Sequence, residues 1–382
     1  MVYIMTWYRG MNYGSVLQAY ALQRYILSLG YSCRILNYAP GKPASLKMKI
    51  LNGSLRDTLI YKFNECTAGA SGNRADRNIT AFDSFREKYM DITGRCRNAD
   101  EILKLCGEDS VFVCGSDQIW NPYFYDPCYF LTFAKDKNKK IAYAPSFGVS
   151  EANRAVKKRI AAALDGFGSI SVREETGKEI IKDLTGKEAV VTADPTMLAD
   201  MRQWDLIAED PEEKEPYLFC YFLSSSGEYL RAAEKTAAAR GLKIRMLPMT
   251  ASGAANENMI KEAVGPREWL GYIKNADFVM TDSFHCTLFA MRYRRQFITL
   301  KRFSDDDPRG QNGRISSFLN ETEMAGRFIN ASDMTGNEPG ITADMFAHAC
   351  GIIDKKAEYS GRWLAHNLKK AKEADNGWQY KN

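Results

Sequence analysis

Ala276 to Met291 reads A-D-F-V-M-T-D-S-F-H-C-T-L-F-A-M, and the fold of the chain follows from this stretch. Phe278, Val279 and Met280 form a short apolar run that predicts a buried strand. Thr281, Asp282 and Ser283 break it, and Asp282 and Ser283 are both of the residue types that cap helix amino termini. His285 to Met291 is apolar enough for a buried helix. His285, one of three histidines in the chain, therefore stands at a strand-to-helix turn. Such turns lie at the carboxyl ends of strands, where open α/β sheets bind ligands. The start of the following helix offers N–H groups and a partial positive charge to an anion. A histidine beside an apolar segment also has a plain structural use, and the pattern leaves both readings open.

The same strand-turn-helix order recurs along the chain. Val2 to Trp7 predicts a first strand; Asn12, Tyr13 and Gly14 predict a loop; Val16 to Leu29 predicts a helix ended by Gly30; and Cys33 to Tyr38 predicts a second strand. This is a β-loop-α-β unit whose turn either admits a ligand or is simply tight. It is not G-x-G-x-x-G, so it does not indicate a dinucleotide site. Residues 41 to about 100 are polar, basic and irregular, with a loop around Gly72 and an amphipathic helix over Ile79–Met90. Long insertions of this kind are often lids or acceptor-binding regions. In D-S-V-F-V-C-G-S-D-Q-I-W-N-P, Val111 to Cys114 predicts a buried strand. Gly115, Ser116 and Asp117 form the turn after it, with Gln118 and Asn121 crowded beside Trp120. Hydrogen-bonding side chains next to an indole suit a sugar or phosphate site, and equally an Asx turn.

Strands follow at Ile141–Ala144, Ser169–Arg173 and Val190–Pro195, with helices at Lys157–Gly166 and Thr176–Leu184. Arg173 ends its strand, placed either to reach a ligand or to pair with Glu174 or Glu175. Residues 200–216 are charged, end in P-E-E-K-E-P and read as a linker. A second domain opens with a strand over Tyr217–Leu223, then a turn from Ser224 to Gly227 that caps a helix or binds phosphate. Lys243–Leu247 predicts a strand, Pro266 starts a helix, and Gln296–Leu300 is a strand. Lys301–Arg314 is a charged loop, a helix begins near Met345, and the last nine residues read as frayed. The expected domains are 1–199, a linker over 200–216, 217–344, and a carboxy-terminal helix and tail over 345–382. The fold class is α/β, two Rossmann-like domains facing a cleft.

Composition narrows function. A chain of 382 residues is long for one core. The net charge of +5 suits an anionic small substrate or an anionic lipid surface, and no nucleic-acid motif is present. The nine cysteines are odd in number, with no C-x-x-C pair. That argues against a disulfide framework or a zinc site and for a reducing cytosol, and no metal site is expected. The first ten residues, M-V-Y-I-M-T-W-Y-R-G, read as a strand and not as a signal peptide. No run approaches the ~18 apolar residues that span a bilayer, so membrane contact is expected to be peripheral, at the inner face. Twenty tyrosines and 19 phenylalanines suit sugar-facing surfaces and large cores alike.

Four runs resemble the polysaccharide pyruvyl transferase family. T-D-S-F-H-C-T-L-F-A is similar to its S-x-x-H-G element, with Cys286 where that family usually has Gly. G-S-D-Q-I-W-N is similar to a second hallmark, and N-Y-G-S-V-L-Q-A-Y-A-L-Q resembles the amino-terminal signature. I-S-V-R-E-E-T resembles the family's V-R-[DE] element. The resemblance implies a two-domain architecture similar to GT-B glycosyltransferases and transfer of pyruvate from phosphoenolpyruvate to a sugar, usually as a cyclic ketal. It implies phosphoenolpyruvate as donor, no other cofactor, and a free or lipid-linked saccharide as acceptor. His285, Asp282 and Arg173 are the expected catalytic residues: His285 for proton transfer, Asp282 to orient it, Arg173 for the donor's anionic groups. Asn12, Tyr13, Gly14, Gly115, Ser116, Asp117, Gln118, Trp120, Asn121, Ser283 and Arg292 are the expected substrate contacts, and Arg294 and Arg295 share with Arg292 the candidacy for a second cation. A GT-B-like glycosyltransferase using a nucleotide-sugar and a non-catalytic binding module on the same fold are the competing expectations.

Overall fold

Val2–Met5, four consecutive buried apolar residues, form β1, and Tyr13–Ser28 form α1, whose first eleven residues are all buried. Continuous apolar strands mark a parallel sheet covered on both faces. In a computed structural model of the chain, residues 1–41, 72–107, 109–149, 154–224, 226–248, 258–303 and 312–373 are described. Two compact units are present: Met1–Thr58 with Arg86–Ala199 and Asp354–Asn382, and Leu59–Phe85 with Asp200–Ile353. The break between Ala199 and Asp200 follows the charge shift in the sequence. The long last helix, Ala343–Glu373, is shared between the units at Ile353 and Asp354.

The first unit holds a seven-stranded parallel sheet. Its strands are β1, β2 (Cys33–Tyr38), β3 (Ile92–Cys96), β4 (Val111–Cys114), β5 (Lys140–Ala142), β6 (Ser169–Val172) and β7 (Val190–Val191), in the order 3-2-1-4-5-6-7. The second holds a five-stranded parallel sheet of β8 (Tyr217–Phe222), β9 (Lys243–Pro248), β10 (Phe278–Thr281), β11 (Gln296–Leu300) and β12 (Phe328–Ile329), in the order 12-11-10-8-9. Both are doubly wound, Rossmann-like arrangements. Each has one point where successive connections leave in opposite directions and open a crevice at the strands' carboxyl ends. In the first unit it lies between β1 and β4, in register with Met5 opposite Cys114. In the second it lies between β8 and β10, with Thr281 opposite Tyr221.

Several elements differ from expectation. The loop expected around Gly72 is the start of α2, Gly72–Tyr89. The irregular stretch to residue 100 contains β3 and the start of α3, Ala99–Cys106. An N-x-x-E capping pattern explains that helix: Asn98 Oδ1 accepts from the Glu101 amide at 2.9 Å, and Glu101 Oε2 accepts from the Arg97 amide at 2.9 Å. The expected linker over 200–216 carries a helix, Met201–Ile207, capped by Asp200 and anchored by fully buried Trp204. A further helix, Asn312–Glu321, begins within the expected loop over 301–314. Residues 42–71, Ser225, 304–311 and the expected frayed tail over 374–382 lie outside the described residues.

Candidate active site

At the crevice of the first unit, Asn12 caps α1, its Oδ1 accepting from the Ser15 amide at 3.1 Å. Tyr13 and Gly14 follow as buried first-turn residues. Ser15 Oγ donates a short hydrogen bond to Asp117 Oδ2, so α1 is tied directly to the turn after β4. Gln18, fully buried, completes the join. Its Nε2 reaches Thr6 Oγ1 at 2.9 Å and the Trp7 carbonyl at 3.1 Å, and its Oε1 accepts from the Ser116 amide at 3.0 Å. Gly115 has φ +120, and a Cβ there would lie 2.0 Å from the Tyr143 carbonyl oxygen, so only glycine fits. Asn121 is buried and caps the following turn through the Tyr123 amide at 3.0 Å, while its Nδ2 donates to Gln118 Oε1 at 3.2 Å. The sequence placed these residues together, and the sheet brings them together.

Trp120 stands apart from them. It is fully buried, stacks on Phe130 with ring centroids 5.0 Å apart, and donates its Nε1–H to the Tyr129 carbonyl at 3.2 Å. An indole enclosed in this way is a core residue, which corrects its expected place among the substrate contacts.

Arg173 ends β6 as expected, but its guanidinium is not open to solvent. Nη1 donates to Asp194 Oδ2 at 2.7 Å, and Nε lies 3.7 Å from Glu174 Oε2, with all three side chains buried. Burial alone pulls the guanidinium pKa down, but Asp194, Glu174 and Asp117 outweigh it and raise it. Glu174 is itself cradled: Oε1 accepts from Ser146 Oγ at 2.8 Å and from the amides of Phe147 and Gly148 at 3.1 and 3.4 Å. Asp194 also caps the next turn through Thr196. Arg173 thus pins three loops at the carboxyl edge of the first sheet.

In the second unit, β10 leads into Phe284–Arg292, a helix with Phe284 to Met291 all buried. A threonine ladder fixes its start. Thr281 Oγ1 donates to the Tyr221 carbonyl at 2.6 Å and accepts from the Ser283 amide at 3.1 Å, and Thr287 Oγ1 bonds Thr299 Oγ1 at 2.8 Å. Ser283 is the cap, with Oγ 3.5 Å from the Cys286 amide. His285 lies in the first turn, 7 % exposed, its ring edge-on to Phe284. Cys286 is fully buried, and burial pushes its thiol pKa up.

Asp282 does not cap the helix but joins two strand ends at the crevice. Oδ1 accepts from the Leu223 amide at 2.6 Å and Oδ2 from the Ser224 amide at 3.0 Å, clamping the end of β8 to the end of β10. Burial raises its pKa against the opposing pull of Arg302 and the two amides. Arg302 Nε lies 3.5 Å from Asp282 Oδ2 and donates to Ser224 Oγ at 3.0 Å. Its side chain is 20 % exposed, so it is anchored yet not fully enclosed. Tyr229 holds the preceding residue, donating to the Lys301 carbonyl at 2.9 Å.

The cations expected in this half were Arg292, Arg294 and Arg295. Arg292 is the last residue of the helix, roughly 10 Å along its axis from His285. That places Arg292, Arg294 and Arg295 towards the amino-terminal edge of the sheet, away from the crevice. Arg302, two residues past β11, is on the carboxyl edge, at the crevice. The signal that finds it is its distance from the strand end; Asp194 likewise follows β7 in V-V-T-A-D-P-T. Among the described residues no group of three or more His, Cys, Asp or Glu is arranged to hold a metal ion, and no helix is long and apolar enough to cross a membrane.

Two doubly wound parallel sheets, with polar turns at each topological switch point, define a mixed α/β protein. The chain belongs to the polysaccharide pyruvyl transferase family, which it matches over residues 12–302. No curated protein matches it. Its solved structural neighbours include MnaA of S. aureus with UDP, at 9 % identity, TM-score 0.49, and 88 % and 85 % coverage of this and that chain. The UDP-GlcNAc 2-epimerase of Methanocaldococcus jannaschii gives 12 % identity, TM-score 0.45 and 92 % coverage of both chains. The glycosyltransferase SnogD from Streptomyces nogalater gives 11 %, 0.44, and 96 % and 98 %.

Proposed function

We infer that this member of the family transfers the pyruvyl group of phosphoenolpyruvate to a saccharide and closes it as a cyclic ketal. The observation that carries this reading is the second unit's switch point, where His285 in a first helical turn shares the sheet edge with an anchored, partly exposed Arg302. Phosphoenolpyruvate carries a carboxylate and a phosphate. A guanidinium donates parallel hydrogen bonds to either, and a helix amino terminus stabilises the phosphate. Arg302 takes the anion-binding role expected of Arg173, which here serves to hold loops.

The chemistry balances without a further reagent. His285 delivers a proton to the C3 methylene, leaving an oxocarbenium-like centre at C2. One sugar hydroxyl adds at C2 and releases its proton. A second hydroxyl displaces phosphate from C2, and its proton leaves with the phosphate or a base. The products are the ketal and inorganic phosphate. Asp282, with both oxygens engaged by Leu223, Ser224 and Arg302, supports this by fixing Arg302.

The test is phosphate release from phosphoenolpyruvate with galactose-, glucose- and N-acetylmannosamine-type acceptors, free and lipid-linked. Acceptor-dependent release is expected. Consumption of a nucleotide-sugar in its place would assign the site to glycosyl transfer.

A further inference from the structure

The carboxyl edge of the first sheet gathers guanidinium groups that neither the proton-transfer chemistry nor Arg302 uses. Arg9 lies four residues past β1, Asn37 is the last residue but one of β2, and Arg95 the last but one of β3. Across the two strands Asn37 pairs with Arg95 and Tyr38 with Cys96. Tyr38 and Cys96 are both buried in one core cluster, so alternation turns Asn37 and Arg95 together to the opposite face. Arg9 reaches the same place, donating a short hydrogen bond from Nη1 to Asn37 Oδ1. Arg9 and Arg95 thus flank one carboxamide.

The backbone that carries them is held. Arg86, in the last turn of α2, donates from Nε to the Tyr8 carbonyl at 3.0 Å and from Nη2 to the carbonyls of Arg9, at 3.0 Å, and Gly10. The Asn37 amide donates to Thr93 Oγ1 at 3.0 Å. Burial pushes the Tyr8 hydroxyl up to about 12, and Arg9 and Arg86 both pull the other way, which sets both charges near it.

The opposite end of β2 is a useful contrast. There Arg34 is neutralised by Asp91, with Nε 2.9 Å from Oδ1. At the carboxyl end Arg9, Arg95 and Arg97 are all exposed, and none of the three forms an ion pair among the described residues. Like charges gathered without acids repel one another, and an anion between them relieves the repulsion. Every group that Arg9, Asn37 and Arg95 offer is a donor, because Asn37 Oδ1 is taken by Arg9 and only its Nδ2 remains. Guanidinium forks match the tetrahedral oxygens of phosphate, and doubly wound sheets take their ligands at this edge.

We propose that Arg9, Asn37 and Arg95 form a phosphate-binding site on the first unit, which takes the phosphoryl group of a glycosyl phosphate or of a lipid headgroup. In pyruvyl transfer Arg302 takes the donor, and this phosphoryl group belongs to the acceptor. That placing rests on the pyruvyl-transfer reading; the phosphate site does not. Arg86 is a positioning residue that holds the Tyr8–Gly10 backbone.

The experiment uses the full chain with Arg302→Ala, so that an anion at Arg302 does not contribute. Calorimetry follows glucose 1-phosphate and, as a control, glucose; sedimentation follows phosphatidylglycerol and phosphatidylcholine vesicles. Saturable binding of glucose 1-phosphate and not of glucose is expected, weakening as salt is raised. Arg9→Ala and Arg95→Ala should each weaken it about tenfold, and the Lys variants less. Arg34→Ala should change nothing, and far-UV dichroism of all variants should match the parent. Capture of phosphatidylglycerol vesicles that depends on Arg9 and Arg95, without glucose 1-phosphate binding, would assign the phosphoryl group to a lipid headgroup. Binding of neither, or binding that both Arg→Ala variants retain in full, would overturn the site. In turnover assays with Arg302 intact, Arg95→Ala should raise the KM of a phosphorylated acceptor about tenfold and leave the phosphoenolpyruvate KM near wild type. Phosphate binding that depends on Arg95, in a protein that turns over no phosphoenolpyruvate, would leave the site standing and remove pyruvyl transfer.

Discussion

Arg173 Nη1 sits 2.7 Å from Asp194 Oδ2, with the Arg173 side chain 4 % and the Asp194 side chain 0 % exposed. A charge pair this deep is costly to break from one side. Removing either partner leaves the other buried and unpaired, a loss of about 3–5 kcal/mol. Arg173→Ala is therefore expected to lower stability by that order in urea unfolding, as is Asp194→Ala. Arg173→Lys keeps the charge but not the fork geometry and should recover part of the loss. An Arg173→Ala variant as stable as wild type but unable to bind phosphoenolpyruvate would move Arg173 from holding loops to holding substrate.

Arg302 is the reverse case, anchored by Ser224 and Asp282 but not fully enclosed. Its loss should cost binding more than stability. Hydrogen bonds to charged groups are worth about 1.5–3 kcal/mol. Arg302→Ala is thus expected to raise the phosphoenolpyruvate KM about 10- to 100-fold, with Arg302→Lys between. Steady-state kinetics at fixed acceptor checks this. Arg292→Ala, on the far end of the helix, should leave that KM near wild type.

A pH dependence follows from Asp126. Its Oδ1 accepts from the Cys128 amide at 2.9 Å and its Oδ2 accepts from the Tyr38 hydroxyl at 3.0 Å. Burial raises its pKa above the usual carboxylate value of 3.8 despite these bonds. The native state therefore holds a proton that the unfolded chain has lost. The resulting stabilisation is complete below 3.8 and falls away as pH rises through the raised native value. Asp126→Asn can keep the bond from the Cys128 amide, can donate Nδ2–H to the Tyr38 oxygen in place of accepting from it, and cannot titrate. Its stability relative to wild type should therefore shift in favour of the variant as pH increases over that window. Urea unfolding of both proteins from pH 3.5 to 7 measures it, and parallel curves would contradict it.

Much of this site was legible in the sequence because its signals are local. The strand-turn-helix at 276–291 and the glycine turn at 115–117 each depend on residues within one turn of one another, whereas Asn12, expected in a loop, is the cap of α1. What was missed depends on distant partners. Arg173 looked like a residue at a strand end facing a ligand, and only the sheet order brings Asp194 to it. Trp120 sat among polar side chains in sequence, and only packing shows its ring stacked on Phe130. Arg302 lay beyond the motif that contains His285, and it joins that motif through parallel pairing of β10 with β11. Met201–Ile207 was hidden by charges in its sequence, with Trp204 and Ile207 buried as its apolar anchors.

The most direct measurement concerns His285 and the donor. Purified wild type and His285→Gln are incubated with phosphoenolpyruvate and the best acceptor sugar, and inorganic phosphate and pyruvylated sugar are quantified together. Wild type should form the two products one to one. His285→Gln should fold normally and lose about 10²–10⁴ in rate, the typical worth of a general acid–base. Equal rates for the two proteins, or phosphate release with no ketal on the sugar, would contradict proton delivery by His285 to a phosphoenolpyruvate donor.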